Sequence, residues 1–397
     1  MKYIVFALIV VLLLAGCSSG GDNLFESTPA GQPTSVPVPT TVPTAPTGPT
    51  ASPTPQAAAL SDLSLVYVDS SKGQGAELFV AAYDGANPRK VTNLTGGNRV
   101  YDVRGNNLVA SGTNQLLFID LKSGATRPLA VTGNVRDGRF VDDQTFIYTI
   151  ANGCGPNGGP RGVIYRVNVS TLQQSELASS PDRDYNLSSI DTAFGQLAVI
   201  LRGCDVAVRQ MQVISLTDGK LIQTYDTEGC GWAVFALAQR KAIVSRQFCT
   251  QPADKQGVDA TIYDVAGIVP SAKDVSAPNG GASLRTFVLR PGRAEAALGT
   301  ASRGPAGPGP APSTGTGIWL LDINTLAFSN LAGNQGSEQW AIGWSPDGQY
   351  LLAAATVAQG MCAYTYIDVA SKDVKPIAPA VTFCGANGDV VGWSTIK

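Results

Sequence analysis

The chain has 397 residues, with 28 lysines and arginines against 30 aspartates and glutamates and a formal net charge of -2. A protein so nearly neutral has no whole-molecule positive field to attract nucleic acid. It contains no histidine, which excludes a Ser-His-Asp triad, a histidine general base and a zinc site with imidazole ligands. Its 44 glycines, 25 prolines and low charged content indicate many turns and few helices.

The N-terminus has the pattern of an export signal. Lys2 is followed by an apolar run over residues 3–15, about half of the roughly 20 residues that span a bilayer. The run ends in Leu-Ala-Gly-Cys, and this resembles the lipobox of bacterial lipoproteins. The resemblance implies that residues 1–17 are a signal peptide, that the Cys17 thiol is acylated, and that acyl chains anchor the protein to a bacterial membrane on its extracytoplasmic side. An ordinary secretory signal with an incidental cysteine is the alternative.

Residues 18–60 form a low-complexity segment. No charge occurs over residues 27–61, where proline alternates with threonine, valine and alanine. Such a composition cannot form a core and favours extended polyproline II, at about 3.1 Å per residue. We therefore expect a disordered stalk of some forty residues, which would reach up to about 100 Å from the membrane.

Residues 61–397 repeat a unit made of an apolar strand ending near Asp or Asn, a polar turn and a second strand. The intervals between successive copies are 39 to 57 residues, close to the length of a four-stranded propeller blade. The sequence therefore predicts an all-β, seven-bladed β-propeller. Two stacked β-sandwiches, or a ring of six or eight blades, are the alternatives. The copies centre on Phe79, Phe118, Tyr165, Ile214, Tyr263, Leu320 and Tyr366.

Two further strands precede each copy, so that a blade has strands a, b, c and d. The W-S-P-D-G turn at residues 344–348 and the run L-F-V-A-A-Y-D-G-A-N-P-R-K-V-T at residues 78–92 resemble the WD40-like repeats of TolB-type propellers. The other blades keep the period but lose this motif, so the resemblance implies the fold more than a TolB-like partnership. The first copy lacks strand a, and we expect residues 389–394 at the C-terminus to supply it and close blade one.

Six cysteines remain beside Cys17, and an even number in an exported protein predicts disulfides. The strand assignment places both cysteine-bearing classes of loop on one face of the disc. We expect Cys362 to pair with Cys384, whereas the other four pair as Cys154 with Cys204 and Cys230 with Cys249, or as Cys204 with Cys230 and Cys154 with Cys249. The assignment puts Cys154, Cys204, Cys249 and Cys362 in b–c loops and Cys230 and Cys384 in d–a loops. No Cys-x-x-Cys spacing occurs, and we expect no metal and no cofactor.

The same face carries the longest insertions and several arginines. Strand b of blades four, five and six is expected to end at Arg202, Arg246 and Arg303. Together with Arg161 these guanidinium groups would bind a carboxylate, a sulfate or an acidic protein loop. Trp232 and Trp340, each at the start of a strand a, would add flat apolar contact surfaces. In the alternative the arginines pair with nearby aspartates and fix loops, while the tryptophans pack between blades.

The sequence contains no catalytic, phosphate-binding or calcium-loop motif. The acidic pairs at 142–143 and 182–184 are expected to be solvated turn carboxylates, and weak binding of a calcium ion is the alternative. The leading hypothesis is an extracytoplasmic, membrane-anchored binding or scaffold module for an envelope protein or a glycan, and not for nucleic acid. The alternative is a carbohydrate-active enzyme, a lyase or glycosidase, that uses carboxylates and arginines in the central depression. The TolB resemblance implies a third function, an envelope assembly scaffold.

Overall fold

The computed structural model describes residues 59–71, 75–94, 99–151, 162–181, 183–202, 209–226, 235–238, 240–245, 258–265, 271–278, 282–302, 317–333, 338–358, 361–377 and 388–396. These residues form seven four-stranded antiparallel sheets and one 3-10 turn, Leu60–Asp62. Within these ranges no helix has the length and apolar character needed to cross a bilayer.

Each sheet is one blade, with its strands lettered a to d in their order across the sheet. Blade one consists of β28 (Gly388–Ser394), β1 (Ser64–Asp69), β2 (Ala76–Ala82) and β3 (Arg89–Leu94), and blade two of β4 (Val100–Arg104), β5 (Asn107–Gly112), β6 (Gln115–Asp120) and β7 (Thr126–Ala130). Blade three consists of β8 (Asn134–Phe140), β9 (Thr145–Ala151), β10 (Gly162–Asn168) and β11 (Gln174–Ser180), and blade four of β12 (Asp184–Asp191), β13 (Gln196–Arg202), β14 (Arg209–Ser215) and β15 (Leu221–Asp226). Blades five to seven consist of β16 (Phe235–Ala238), β17 (Lys241–Ser245), β18 (Ala260–Asp264) and β19 (Ala272–Val275); β20 (Ala282–Leu289), β21 (Glu295–Ser302), β22 (Ile318–Asp322) and β23 (Phe328–Ala332); and β24 (Gln339–Trp344), β25 (Tyr350–Ala358), β26 (Met361–Asp368) and β27 (Val374–Pro376).

The seven sheets form a closed ring. The a strand of every blade contacts the a strands of the two neighbouring blades, so these strands are innermost. The C-terminal strand β28 pairs antiparallel with β1 and completes blade one, while the seven repeat copies lie in the seven c strands. The predicted seven-bladed β-propeller, closed by its C-terminal strand, is confirmed.

The recurrent Asp or Asn of the repeat caps the turn between strands c and d. Side-chain oxygens of Asp120, Asn168, Asp322 and Asp368 accept backbone N–H groups two or three residues on, at 2.7–3.2 Å. The N–H of Thr325 is the strongest influence that lowers the pKa of Asp322. Such Asx turns reverse the chain tightly. The fourth residue after the cap has a positive φ in each of these turns and also in the turn of blade four, where Ser215 is in the position of the cap. These residues are Gly124, Leu172, Gly219, Leu326 and Lys372.

Apolar side chains fill the space between adjacent blades. Val66 of blade one and Leu108 of blade two are fully buried in one cluster. Phe118 of blade two meets Phe146 of blade three edge to face, with ring centroids 5.6 Å apart. Aromatic pairs with this geometry contribute about 0.5–1.5 kcal/mol beyond the area they bury. Each blade is thus stabilised by both of its neighbours.

The W-S-P-D-G turn joins blade seven to blade six. Trp344 Nε1 donates to the carbonyl oxygen of Val288 at 2.8 Å, and Arg290 Nε donates to the carbonyl oxygen of Gly348 at 2.7 Å. The Arg290 guanidinium also lies over the Trp344 ring, 5.2 Å from its centroid. Gly348 has a φ of +70°, which glycine adopts without the strain of a side chain. The most recognisable motif of the sequence is therefore a contact between blades.

Candidate functional site

The two ends of the propeller differ in the connections they carry. Because strands alternate in direction within a blade, the a–b and c–d connections lie at one end, the turn face, and the b–c and d–a connections lie at the other, the loop face. The 3-10 turn Leu60–Asp62 leads into β1, a b strand, so the chain enters the propeller at the turn face. The loop face is the face on which the sequence places the cysteines and arginines.

The predicted arginines are at or next to loop-face strand ends. Arg202 is the last residue of β13, as predicted. The b strands β17 and β21 end one residue before Arg246 and Arg303, and β10 begins one residue after Arg161. Arg161, Arg246, Arg303 and Trp232 themselves lie outside the described residues. The four arginines share a face in the chain topology, and their joint binding role stays a prediction.

One cysteine lies elsewhere than predicted. Cys362 is the second residue of strand β26 rather than part of a b–c loop, because β25 and β26 extend until only residues 359–360 connect them. It is 5% exposed. Pairing with Cys384 stays a prediction, because the lipidation site and the remaining cysteines lie outside the described residues: Cys17, Cys154, Cys204, Cys230, Cys249 and Cys384.

Trp340 packs against the protein interior. It is the second residue of β24, as predicted, but it is only partly exposed and lies against the buried cluster that joins blades seven and one. That cluster includes Leu65, Leu352 and Trp393. The position of Trp340 agrees with the alternative in which a tryptophan packs between blades.

Two arginine–aspartate pairs span the innermost strands of blades two, three and four near the loop face. Arg99, just before β4, contacts Asp137 of β8 at 2.6 Å between Nη2 and Oδ1. Arg136 of β8 lies 3.9 Å from Asp184, the first residue of β12, between Nη2 and Oδ2. We call these four residues the arginine rim. It joins three consecutive blades through side chains that lie far apart in the sequence.

Local structure orients the two arginines of the rim. The Arg99 guanidinium lies over the ring of Tyr101, 5.2 Å from its centroid, in cation–π geometry. Tyr101 is 7% exposed, and burial is the main cause that raises its pKa above the usual value, so the ring stays neutral beneath the cation. Arg136 is the extra residue of a β-bulge, since its neighbours Val135 and Asp137 pair with consecutive residues of β9. Bulges redirect a side chain and are common beside binding sites.

Exposure in the rim favours binding of an anion. The side chains of Arg99 and Arg136 are 54% and 46% exposed, whereas those of Asp137 and Asp184 are only 20% and 13% exposed. Guanidinium N–H groups thus face solvent with carboxylates behind them. An incoming carboxylate can share an arginine with its aspartate, because a guanidinium group has five N–H donors, whereas displacing a mostly buried aspartate would leave its charge unpaired. Two adjacent guanidinium groups suit a ligand with several acidic groups.

The arginine rim was missed from the sequence. The signal was present, because an arginine directly precedes strand a of blade two and an Arg-Asp dipeptide lies in strand a of blade three. Its partners come from different blades, and only the ring brings them together. The cluster of arginines at the ends of b strands was inferred from the repeat within each blade. That repeat carries no information on contacts between neighbouring blades.

A partly buried carboxylate lies farther along the same strands. Asp102 of β4 accepts the backbone N–H groups of Phe140 and Val103 at 2.8 and 2.9 Å. Burial raises its pKa, while Arg139 and these N–H groups act in the opposite direction. Since the Phe140 bond crosses from blade two to blade three, Asp102 holds in register the strands that carry Arg99 and Arg136.

The predicted turn carboxylates have mixed roles. Asp142 accepts the backbone N–H of Gln144, and Asp143 pairs with Arg104 at 2.9 Å, both on the turn face. Asp184 is instead part of the arginine rim, and Asp182 lies outside the described residues. Within the ranges given for the structure, no group of three or more carboxylate or thiol side chains is arranged to hold a metal ion.

No protein-family model and no curated protein sequence matches the chain. Several solved structures are similar to the chain. The chain is similar to an oligogalacturonate lyase in complex with manganese, with a TM-score of 0.52 and 13% identity over 80% of this chain and 84% of the lyase. It is also similar to a prolyl endopeptidase, with a TM-score of 0.53 and 12% identity over 82% of this chain and 48% of that one.

TolB from Acinetobacter baumannii is another similar structure, with a TM-score of 0.45 and 12% identity over 84% of this chain and 66% of TolB. The chain therefore spans about two thirds of TolB and about half of the endopeptidase. At such low identity the likeness to the lyase and the endopeptidase concerns the fold, and what the comparisons establish is that this chain is a β-propeller.

Proposed function

We propose that the protein is a membrane-anchored, extracytoplasmic binding module that uses the loop face of its propeller to bind a partner rich in carboxylates. The observation that carries this proposal is the arginine rim, in which two half-exposed guanidinium groups lie in front of two mostly buried carboxylates. Acylation of Cys17, as its sequence context implies, would supply the anchor to the bilayer.

The path of the chain supports this choice of face. The segment that follows the proposed stalk enters at the turn face, through Leu60–Asp62 and β1. A tether attached there leaves the loop face unobstructed by its own attachment point. The predicted loop arginines, Arg161, Arg202, Arg246 and Arg303, would widen the positive surface around the rim.

Replacing both rim arginines should weaken binding of acidic ligands. We expect the double variant Arg99→Gln/Arg136→Gln to bind an acidic peptide and an oligogalacturonate at least about tenfold more weakly, because each lost guanidinium–carboxylate contact is worth about 1.5–3 kcal/mol before compensation. The measurement is fluorescence anisotropy at two salt concentrations, since screening should weaken the wild-type interaction.

The matched control is Arg104→Gln. Arg104 ends the strand that Arg99 precedes, is 46% exposed and also pairs with an aspartate, but it lies on the turn face. It should leave the affinity unchanged within about twofold. Equal losses in Arg104→Gln and the double variant, or no loss in either, would refute binding at the rim.

A further inference from the structure

The proposed function leaves open whether the acidic partner is a protein or a glycan, and the inference that follows rests on that function. Among the residues that the structure describes, four large apolar side chains are exposed, and they form two pairs. Leu221 and Ile222 begin the outermost strand of blade four at the turn face. Val357 and Met361 lie at the end of the hairpin that β25 and β26 form on the loop face of blade seven.

The blade-seven hairpin is built to present its apolar end. Its strands have nine and eight residues, and only residues 359–360 connect them, so the pairing continues to the tip. Ala358 pairs with Met361 and Thr356 with Cys362, which leaves Val357 as the extra residue of a bulge. Val357 is 55% exposed and Met361 48%. A bulge that turns a valine outward beside an exposed methionine places two apolar side chains together at the tip.

The residues just behind the tip are anchored to the rest of the blade. Cys362 is 5% exposed, and Thr356, its partner across the hairpin, donates its N–H to the carbonyl oxygen of Glu338, the residue before β24, at 3.0 Å. The apolar tip is therefore held in a fixed position on the loop face and loses little conformational entropy on binding.

From these features we infer that the partner of the loop face is a protein that offers an apolar recess to the blade-seven hairpin and acidic side chains to the arginine rim. Methionine and arginine are enriched in protein–protein interfaces. An exposed methionine adapts to the shape of an apolar recess. Glycans, in contrast, are recognised mainly through polar groups and aromatic rings. The positive rim complements acidic side chains and the apolar tip of the hairpin complements an apolar recess. A protein surface can offer both.

The test uses three fluorescent probes of matched negative charge with the full-length protein. Two are peptides in which acidic runs flank either Leu-Phe-Leu or Ser-Gly-Ser, and the third is an oligogalacturonate. We expect the peptide with the apolar centre to bind about five- to tenfold more tightly than the other peptide, because it adds partial burial of roughly one large apolar side chain. The double variant Val357→Thr/Met361→Gln should reduce that preference to within about twofold.

The control variant is Leu221→Gln/Ile222→Thr, which removes similar exposed apolar groups from the turn face and should keep the preference. The inference is overturned if wild-type protein binds the two peptides equally, if the preference survives Val357→Thr/Met361→Gln, or if the oligogalacturonate binds more tightly than both peptides. In each of these cases the proposed function still stands when Arg99→Gln/Arg136→Gln weakens binding. If that double variant binds all three probes as wild type does, the proposed function itself fails.

Discussion

Deleting residues 388–397 should abolish cooperative unfolding of the propeller. The deletion removes β28, which pairs with all six residues of β1 and is the innermost strand of blade one. It also removes Trp393, which is 6% exposed, packs against Tyr366 and donates from Nε1 to the carbonyl oxygen of Tyr83 at 3.3 Å. Truncating one such tryptophan to alanine costs about 3–5 kcal/mol, and whole domains are stable by only about 5–15 kcal/mol. The unpaired edge of β1 should also promote aggregation.

The measurement is urea unfolding of the full-length and shortened chains, followed by tryptophan fluorescence and far-ultraviolet circular dichroism. A synthetic peptide of residues 388–397, added in excess, should restore part of the transition. The point variant Trp393→Ala should retain a transition, shifted to lower urea. A shortened chain that unfolds with the wild-type midpoint and slope would show that the ring does not depend on this closure.

The second large effect is expected for Gly299→Ala. Gly299 is in strand β21 of blade six, and a Cβ built there would overlap the carbonyl group of Gln339 and come within 2.8 Å of the Cα of Trp340. These are backbone atoms of the innermost strand of blade seven, so no side-chain movement can relieve the overlap. We expect a loss of about 3 kcal/mol or more in the free energy of unfolding, the upper range for overpacking.

Gly343→Ala is the matched control. Gly343 is in β24 of the neighbouring blade, and a Cβ built there meets no atom within 4 Å. This variant should unfold within about 1 kcal/mol of wild type. Equal urea midpoints for the two variants would mean that blades six and seven do not approach as closely as the structure shows.

Most of the fold could be predicted because it repeats. Four c strands end in an Asp or Asn that caps the following turn, as Asp120 and Asp322 do, so the sequence shows both the local hydrogen bonding and the spacing of the repeat. The spare strand at the C-terminus was recognisable for the same reason, since blade one lacked one strand. The length of a hairpin was harder to predict. Cys362 lies in β26 because pairing with β25 continues almost to the tip, and turn composition alone does not limit a strand.

The candidate site was predicted only in part. The loop face and Arg202 at the end of β13 follow from alternating strand directions, which the sequence pattern supplies. The pairs that join Arg99 to Asp137 and Arg136 to Asp184 depend on how neighbouring blades stack, and no local pattern encodes that. The exposure of Met361 was equally hidden, because an apolar residue beside a strand is ordinarily interpreted as part of the core.

The central claim, that the loop face does the binding, is tested most directly by site-specific photo-crosslinking of the full-length protein in the cells that produce it. A photoreactive residue would replace Val357 or Asn134, which is the exposed first residue of β8 beside the arginine rim, on the loop face, and Arg104 or Leu221 on the turn face. We expect the two loop-face positions to crosslink to the same partner, with a yield that falls as salt is raised, and the turn-face positions to give none of that product. Crosslinks to a shared partner from the turn face alone, or equally from both faces, would contradict the account.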